Sequence, residues 1–154
     1  MKFSKKILWA ALLVGVITSW GLLEQPTAHA QGGDVLVLIV NKSNAGAKMD
    51  MATARKLILG EMGSWANGTR VLVVLGPPGS TDRATILRKV CGMTESAYTR
   101  YEMQASFTGA TAATIQAATS EVAVKNTVKA NAGAFGFIHK SQVDASVAAV
   151  YELP

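Results

Sequence analysis

The residues best placed to do chemistry are Gly79-Ser80-Thr81-Asp82-Arg83. They combine a backbone free to approach a ligand (Gly79), two hydroxyls (Ser80, Thr81) and a guanidinium (Arg83). The apolar run Val71–Leu75 precedes them, followed by Gly76-Pro77-Pro78, and Ala84–Val90 follows with helical spacing. This is a strand, a tight turn and a helix start. The first turn of a helix carries unpaired N–H groups and partial positive charge, which suit an oxyanion. The plainer reading is an ordinary cap, with Ser80 or Thr81 closing the helix and Arg83 in solvent.

Other chemistry finds less support. A phosphate-cradling P-loop needs a lysine before its Ser/Thr, and here Gly79-Ser80 occupies that place. No H-x-x-x-H, C-x-x-C or G-x-S-x-G occurs, so neither a metal site nor a nucleophile elbow is expected. Cys91 is the only cysteine, which leaves no intramolecular disulfide, and on a helix face with Ala84 and Leu87 it reads as a buried thiol. His139, the one histidine beyond residue 30, shows no sign of pairing. The expectation is a binding protein without cofactor, not an enzyme.

The elements that hold this loop begin after an address segment. Lys2, Lys5 and Lys6 form a basic start, Ile7–Leu23 is apolar, and Ala28-His29-Ala30 is an A-x-A cleavage site. The pattern is a secretory signal over residues 1–30, with an uncleaved anchor as the alternative. Export to the periplasm or beyond follows. Residues 31–34 read as a leader and 35–154 as one domain, large enough to bury a core unaided. The chain holds 15 Lys/Arg and 10 Asp/Glu. Three of those lysines and Glu24 precede Gln31, leaving +3 on the rest. That balance is too small and too scattered for nucleic acid.

Val35–Val40 is an unbroken apolar run, as in a strand covered on both faces. Asp50, Thr94 and Ser120 are placed to cap helices, and Gly60 and Gly92 to end two of them. Glu121 and Lys125 stand at helical i,i+4 spacing. Phe107-Thr108-Gly109 breaks the preceding helix, and Ala110–Thr119 reads as loop or weak helix. Ala134–Ile138 is a strand, and a last strand is placed around Ala148–Tyr151. Strands alternating with helices predict an α/β fold with a largely parallel sheet flanked by helices.

Gly79-Ser80-Thr81-Asp82-Arg83 resembles the G-S-G-T-R anion loop of the PstS-like phosphate-binding receptors of ABC transporters. Its flanks do so as well. Val37–Asn41 is similar to the family's strand ending in V-N. Leu57-Ile58-Leu59-Gly60 with Trp65 and Asn67-Gly68 resembles I-F-L-G…W-x-[DN]-G. Phe107-Thr108-Gly109, Ser120-Glu121-Val122 and Gly133–Phe137 resemble F-T-G, S-x-E-V and G-A-I-G-[YF]. The resemblance implies one lobe of a type II periplasmic binding protein. It implies a small oxyanion, phosphate first, at Gly79, Ser80, Thr81 and Arg83, with Asn41 and Ser43 as a second candidate loop, and a transporter permease as partner. Thr81 stands where the family has Gly, Asp82 where it has Thr, and Gly76 where it often has Arg. Asp82 beside a dianion repels it, or needs the ligand's proton as a hydrogen-bond donor. The alternative is an envelope interaction module on the same fold with a decayed site, docking on a partner or on itself as a homodimer, with Trp65 and Phe107 as contacts.

Overall fold

The computed structural model describes residues 34–154; the stretch expected from the sequence to be a signal and leader, through Gly33, lies outside the described residues. The run expected to be covered on both faces forms β1 (Leu36–Val40). Its alternate residues separate two layers. Leu36, Leu38 and Val40 pack with Leu57 and Ile58, Ile86 and Leu87, and Tyr98. Val37 and Ile39 pack with Val124 and Val128. A strand buried this way has no polar face to display, which is why its sequence does not alternate.

The other elements are α1 (Met51–Ile58), β2 (Leu72–Leu75), α2 (Thr81–Ile86), α3 (Glu95–Thr108), β3 (Thr114–Ala117), α4 (Glu121–Ala130), β4 (Ala134–His139) and β5 (Ala148–Glu152). The expected caps are in place: Asp50, Thr94 and Ser120 accept from the N–H groups of Thr53, Ala97 and Ala123. The helix expected to run to Cys91 stops being α-helical after Ile86. It continues as a π-helical turn, Leu87–Cys91, ended by Gly92 at φ +69°. α3 runs through Phe107 and Thr108 and is capped by Gly109. Among the described residues no helix is long and apolar enough to cross a membrane.

The sheet order is β3-β2-β4-β1-β5. The α/β class with flanking helices is as expected, but the sheet is mixed. β2 is parallel to β3 and β4, while β1 is antiparallel to β4 and β5. Ala110–Thr119, read as loop or weak helix, supplies the edge strand β3. It carries one large apolar residue, Ile115, too little for a recognisable pattern; its pairing with β2 makes it a strand. Glu121 does not pair with Lys125. Lys125 instead reaches Asp144 Oδ2 at 2.8 Å and the Gln142 carbonyl at 3.1 Å, holding the Asp144 carboxyl well below the usual carboxylate range.

Cys91 is 2% exposed, and burial pushes its thiol up to about 11. The thiolate is the reactive form. Alkylation of the native protein at pH 8 should therefore run at least about a hundredfold slower than for an exposed thiol. Iodoacetamide labelling with and without urea, followed by mass spectrometry, checks this; equal rates would contradict it.

Candidate functional site

The turn after β2 is built by its prolines and glycine. The Ser80 N–H donates to the Pro77 carbonyl at 3.1 Å. Pro78 and Gly79, the latter at φ +78°, occupy the central positions. Proline then a left-handed glycine is what a type II turn requires. Ser80 next caps α2, its Oγ accepting from the Arg83 N–H at 3.3 Å. That cap consumes one of the N–H groups on which an oxyanion would otherwise rest.

Arg83 is not in solvent. It is 5% exposed. Its Nε donates to Glu95 Oε1 at 2.8 Å and its Nη1 to the Gly76 carbonyl at 3.3 Å. Its guanidinium carbon lies 5.7 Å from the centre of the Tyr98 ring. Tyr98 is fully buried and donates to the Ile58 carbonyl at 3.0 Å; burial pushes its phenol pKa up. Glu95 Oε2 is buried without a hydrogen-bond partner. Burial also raises the Glu102 carboxyl, against the opposing pull of Arg83.

A cavity of about 230 Å³ opens where β2 and β4 end. Gly76, Pro77 and Ser80 line one side, Ser120 and Glu121 another, with Arg83, Asp82 and Phe137 also on its walls. It falls below the roughly 300–1,000 Å³ of pockets for drug-sized ligands, so its size suits a small polar species. Of the residues expected to bind, Ser80 and Arg83 line it; Gly79 and Thr81 are exposed and do not. Ser120 and Glu121 join the site from α4, through the Ser-Glu-Val element that the sequence already marked.

Asn41 and Ser43 lie at the other end of the sheet. β1 is antiparallel to β4, so Val40 pairs with Phe135 while Leu36 pairs with His139. The loop leaving β1 therefore emerges beside Ala134, not beside Gly76. There Asn41 donates to the carbonyls of Val128 and Lys129, both at 2.9 Å. Ser43 donates to Asn41 Oδ1 at 2.8 Å and lines a separate cavity of about 490 Å³ with Asn44, Met62 and Trp65. In an all-parallel sheet both loops would share one edge; one reversed strand parts them.

His139, expected to be unpaired, has two acidic neighbours. Its Nδ1 is 2.8 Å from Glu121 Oε1, and its backbone N–H donates to the same carboxylate. Its Nε2 lies 3.8 Å from Asp82 Oδ1. These partners sit 18 and 57 positions away, on α4 and α2, and no local spacing connects them. The two aromatic candidates also separate. Trp65 packs edge-on to Phe135 and donates to the Gly133 carbonyl at 2.9 Å, whereas Phe107 is 88% exposed.

No protein-family model matches the chain, and no curated protein matches it. Solved structures do. One is from Clostridium perfringens, described as a phosphate ABC transporter substrate-binding protein and solved with bound phosphate. It is 23% identical with a TM-score of 0.58, over 76% of this chain and 44% of that one. Another is an ABC-type phosphate transport receptor from Vibrio cholerae, 23% identical with a TM-score of 0.51, over 76% of this chain and 45% of that one. This chain thus shares the fold of these proteins and spans less than half the length of either.

Proposed function

We propose that this is an exported, non-enzymatic solute-binding lobe that takes a small protonated oxyanion, phosphate foremost, in the cavity between Ser80 and Ser120. The observation that carries the reading is Arg83, a guanidinium held by Glu95 in the wall of a small cavity that two serines also line. Ser80 and Ser120 supply hydroxyls, and Arg83 supplies charge-assisted donors from its free N–H groups. Asp82 and Glu121 line the same cavity. A carboxylate repels a bare anion but accepts a hydrogen bond from a protonated one, so phosphate is preferred to sulfate. The structural neighbours named for phosphate support this ligand class. An ABC transporter permease is the partner such a lobe would serve, in the periplasm or outside the cell after cleavage within residues 28–31.

Ligand linkage supplies the test. Phosphate at 100 times its dissociation constant should stabilise the protein by about 2.7 kcal/mol, read as a rise in melting temperature. Sulfate should give a smaller rise. Arg83→Lys, which keeps the charge but loses the planar fork, and Ser120→Ala should each reduce the phosphate shift. No shift at millimolar phosphate would sink the proposal.

A second reading, the interaction module, draws on one observation. Phe107 and Met103, four residues apart on α3, are 88% and 56% exposed. Under that reading the protein self-associates in sedimentation, Phe107→Ser abolishes the association, and phosphate has no effect.

A further inference from the structure

We infer that His139 is a positioning residue of this cavity, setting the negative charge that Asp82 and Glu121 present to an anion. The inference rests on the anion-binding reading above and adds a residue that touches no ligand.

The geometry is that of one imidazole between two carboxylates. Both carboxylates line the Ser80–Ser120 cavity. His139 instead lines a second hollow of about 330 Å³, with Asp34, Thr85 and Lys89. Asp82 lines both spaces. His139 thus contacts both carboxylates without itself lining the Ser80–Ser120 cavity.

A neutral imidazole has one N–H to give, and Glu121, at 2.8 Å, is placed to take it. Asp82 then faces the cavity with its charge uncompensated. A protonated ring donates from both nitrogens and adds a positive charge beside both carboxylates. The trio then carries one negative charge in place of two, and the wall becomes less hostile to an anion.

Of the other charges around His139, Asp34 shares its hollow and feels its charge, while Lys140 and Lys89 are tied to other partners. Asp34 accepts from the Ser141 N–H at 3.2 Å and from its hydroxyl, and this lowers its pKa. Lys140 pairs with Glu152 at 2.5 Å. Lys89 donates to the oxygen of Pro154. Glu121 and Asp82 are the groups His139 contacts through its ring nitrogens. Coupling between a proton and a ligand is reciprocal: if protonation favours the anion, the anion must favour protonation.

The experiment measures phosphate affinity of the full chain and of His139→Gln by calorimetry from pH 5.5 to 8. Phosphate's own titration in solution is the same for both proteins, so the difference between the profiles reports on residue 139. The expected result is an affinity in the parent that falls about tenfold more than in the variant across this range. Parallel profiles would overturn the inference and leave the anion site standing. Absence of binding in both proteins at every pH would overturn the anion site, and the inference with it.

A second measurement does not need the variant to fold. The imidazole resonances of the parent are followed by NMR against pH, with and without saturating phosphate. The chain has two histidines, His29 and His139, and His139 is told apart by its contacts with Glu121. Phosphate should move the His139 titration upward. An unmoved His139 titration in protein that demonstrably binds phosphate overturns the inference.

Discussion

Replacing Arg83 with alanine should lower the unfolding free energy by about 3 kcal/mol. Removing one member of a buried ion pair strands the other. Arg83 is the partner of Glu95 Oε1, and Glu95 Oε2 is already buried without a partner. Glu102 would lose the same compensating charge. The loss of the guanidinium from beside the Tyr98 ring and from the Gly76 carbonyl adds to this. The Glu95 side chain is 28% exposed, which holds the figure to the lower end for buried pairs. The penalty has a pH signature. Glu102 already has a raised folded pKa, so its ionisation costs stability as the pH rises. In Arg83→Ala, which removes the opposing pull of the guanidinium, that cost grows for Glu102, and it shrinks on acidification as Glu102 is protonated in the folded and unfolded states. Urea unfolding at pH 5 and pH 8 reads both effects. A double variant, Arg83→Met with Glu95→Leu, should recover part of the loss, because an apolar pair leaves no stranded charge. A loss below about 1 kcal/mol, equal at both pH values, would place Arg83 among weak surface pairs.

That result bears on how the site is read from sequence. Gly79–Arg83 was legible as a turn and a helix start because Pro78, Gly79 and Ser80 each have a local reason for their place. Its electrostatics were not. Glu95 lies 12 positions beyond Arg83 and Glu121 lies 18 before His139. Both pairs form across separate elements, and such pairs leave no mark on local periodicity. Glu121 had a nearer partner by helical spacing in Lys125, but the loop that follows β4 places Asp144 within 2.8 Å of that lysine.

The fold divides the same way. The caps at Asp50, Thr94 and Ser120 and the doubly covered β1 follow from local chemistry, and the expected last strand is there as β5. Strand direction does not follow. Nothing within Leu36–Val40 says whether it runs with or against β4, yet that choice sends Asn41 and Ser43 to the far end of the sheet. β3 was hidden for a related reason: its Thr, Gln and Ala residues acquire a strand's identity only by pairing with β2.

The far end is where the second large effect is expected. Gly133→Ala should cost at least about 3 kcal/mol and leave little cooperatively folded protein. A β-carbon at position 133 would lie 1.7 Å from the Arg70 carbonyl oxygen and 2.9 Å from its carbon. Those are backbone atoms, so no rotamer change relieves the overlap. Relief means moving the chain before β4 away from that before β2. The same carbonyl of Gly133 accepts from the Leu72 N–H at 3.0 Å and from Trp65 Nε1 at 2.9 Å. Displacement therefore breaks a sheet bond and leaves the indole of Trp65, 7% exposed, without its acceptor. Gly46→Ala is the matched control: nothing lies within 4 Å of its added carbon, and its stability should stay within about 0.5 kcal/mol of the parent. Urea melts of both variants make the comparison. A Gly133→Ala protein within about 1 kcal/mol of the parent would mean that β2 and β4 separate easily at this end. The contrast with the opposite end is physical. Around Asn41, Asn44 and Trp65, side-chain donors are spent on backbone carbonyls of residues 128–133, which locks that end of the sheet. At the other end, Ser80, Ser120, Asp82, Arg83 and Glu121 line a cavity, and among the described residues no comparable set of side-chain donors is spent on backbone carbonyls there.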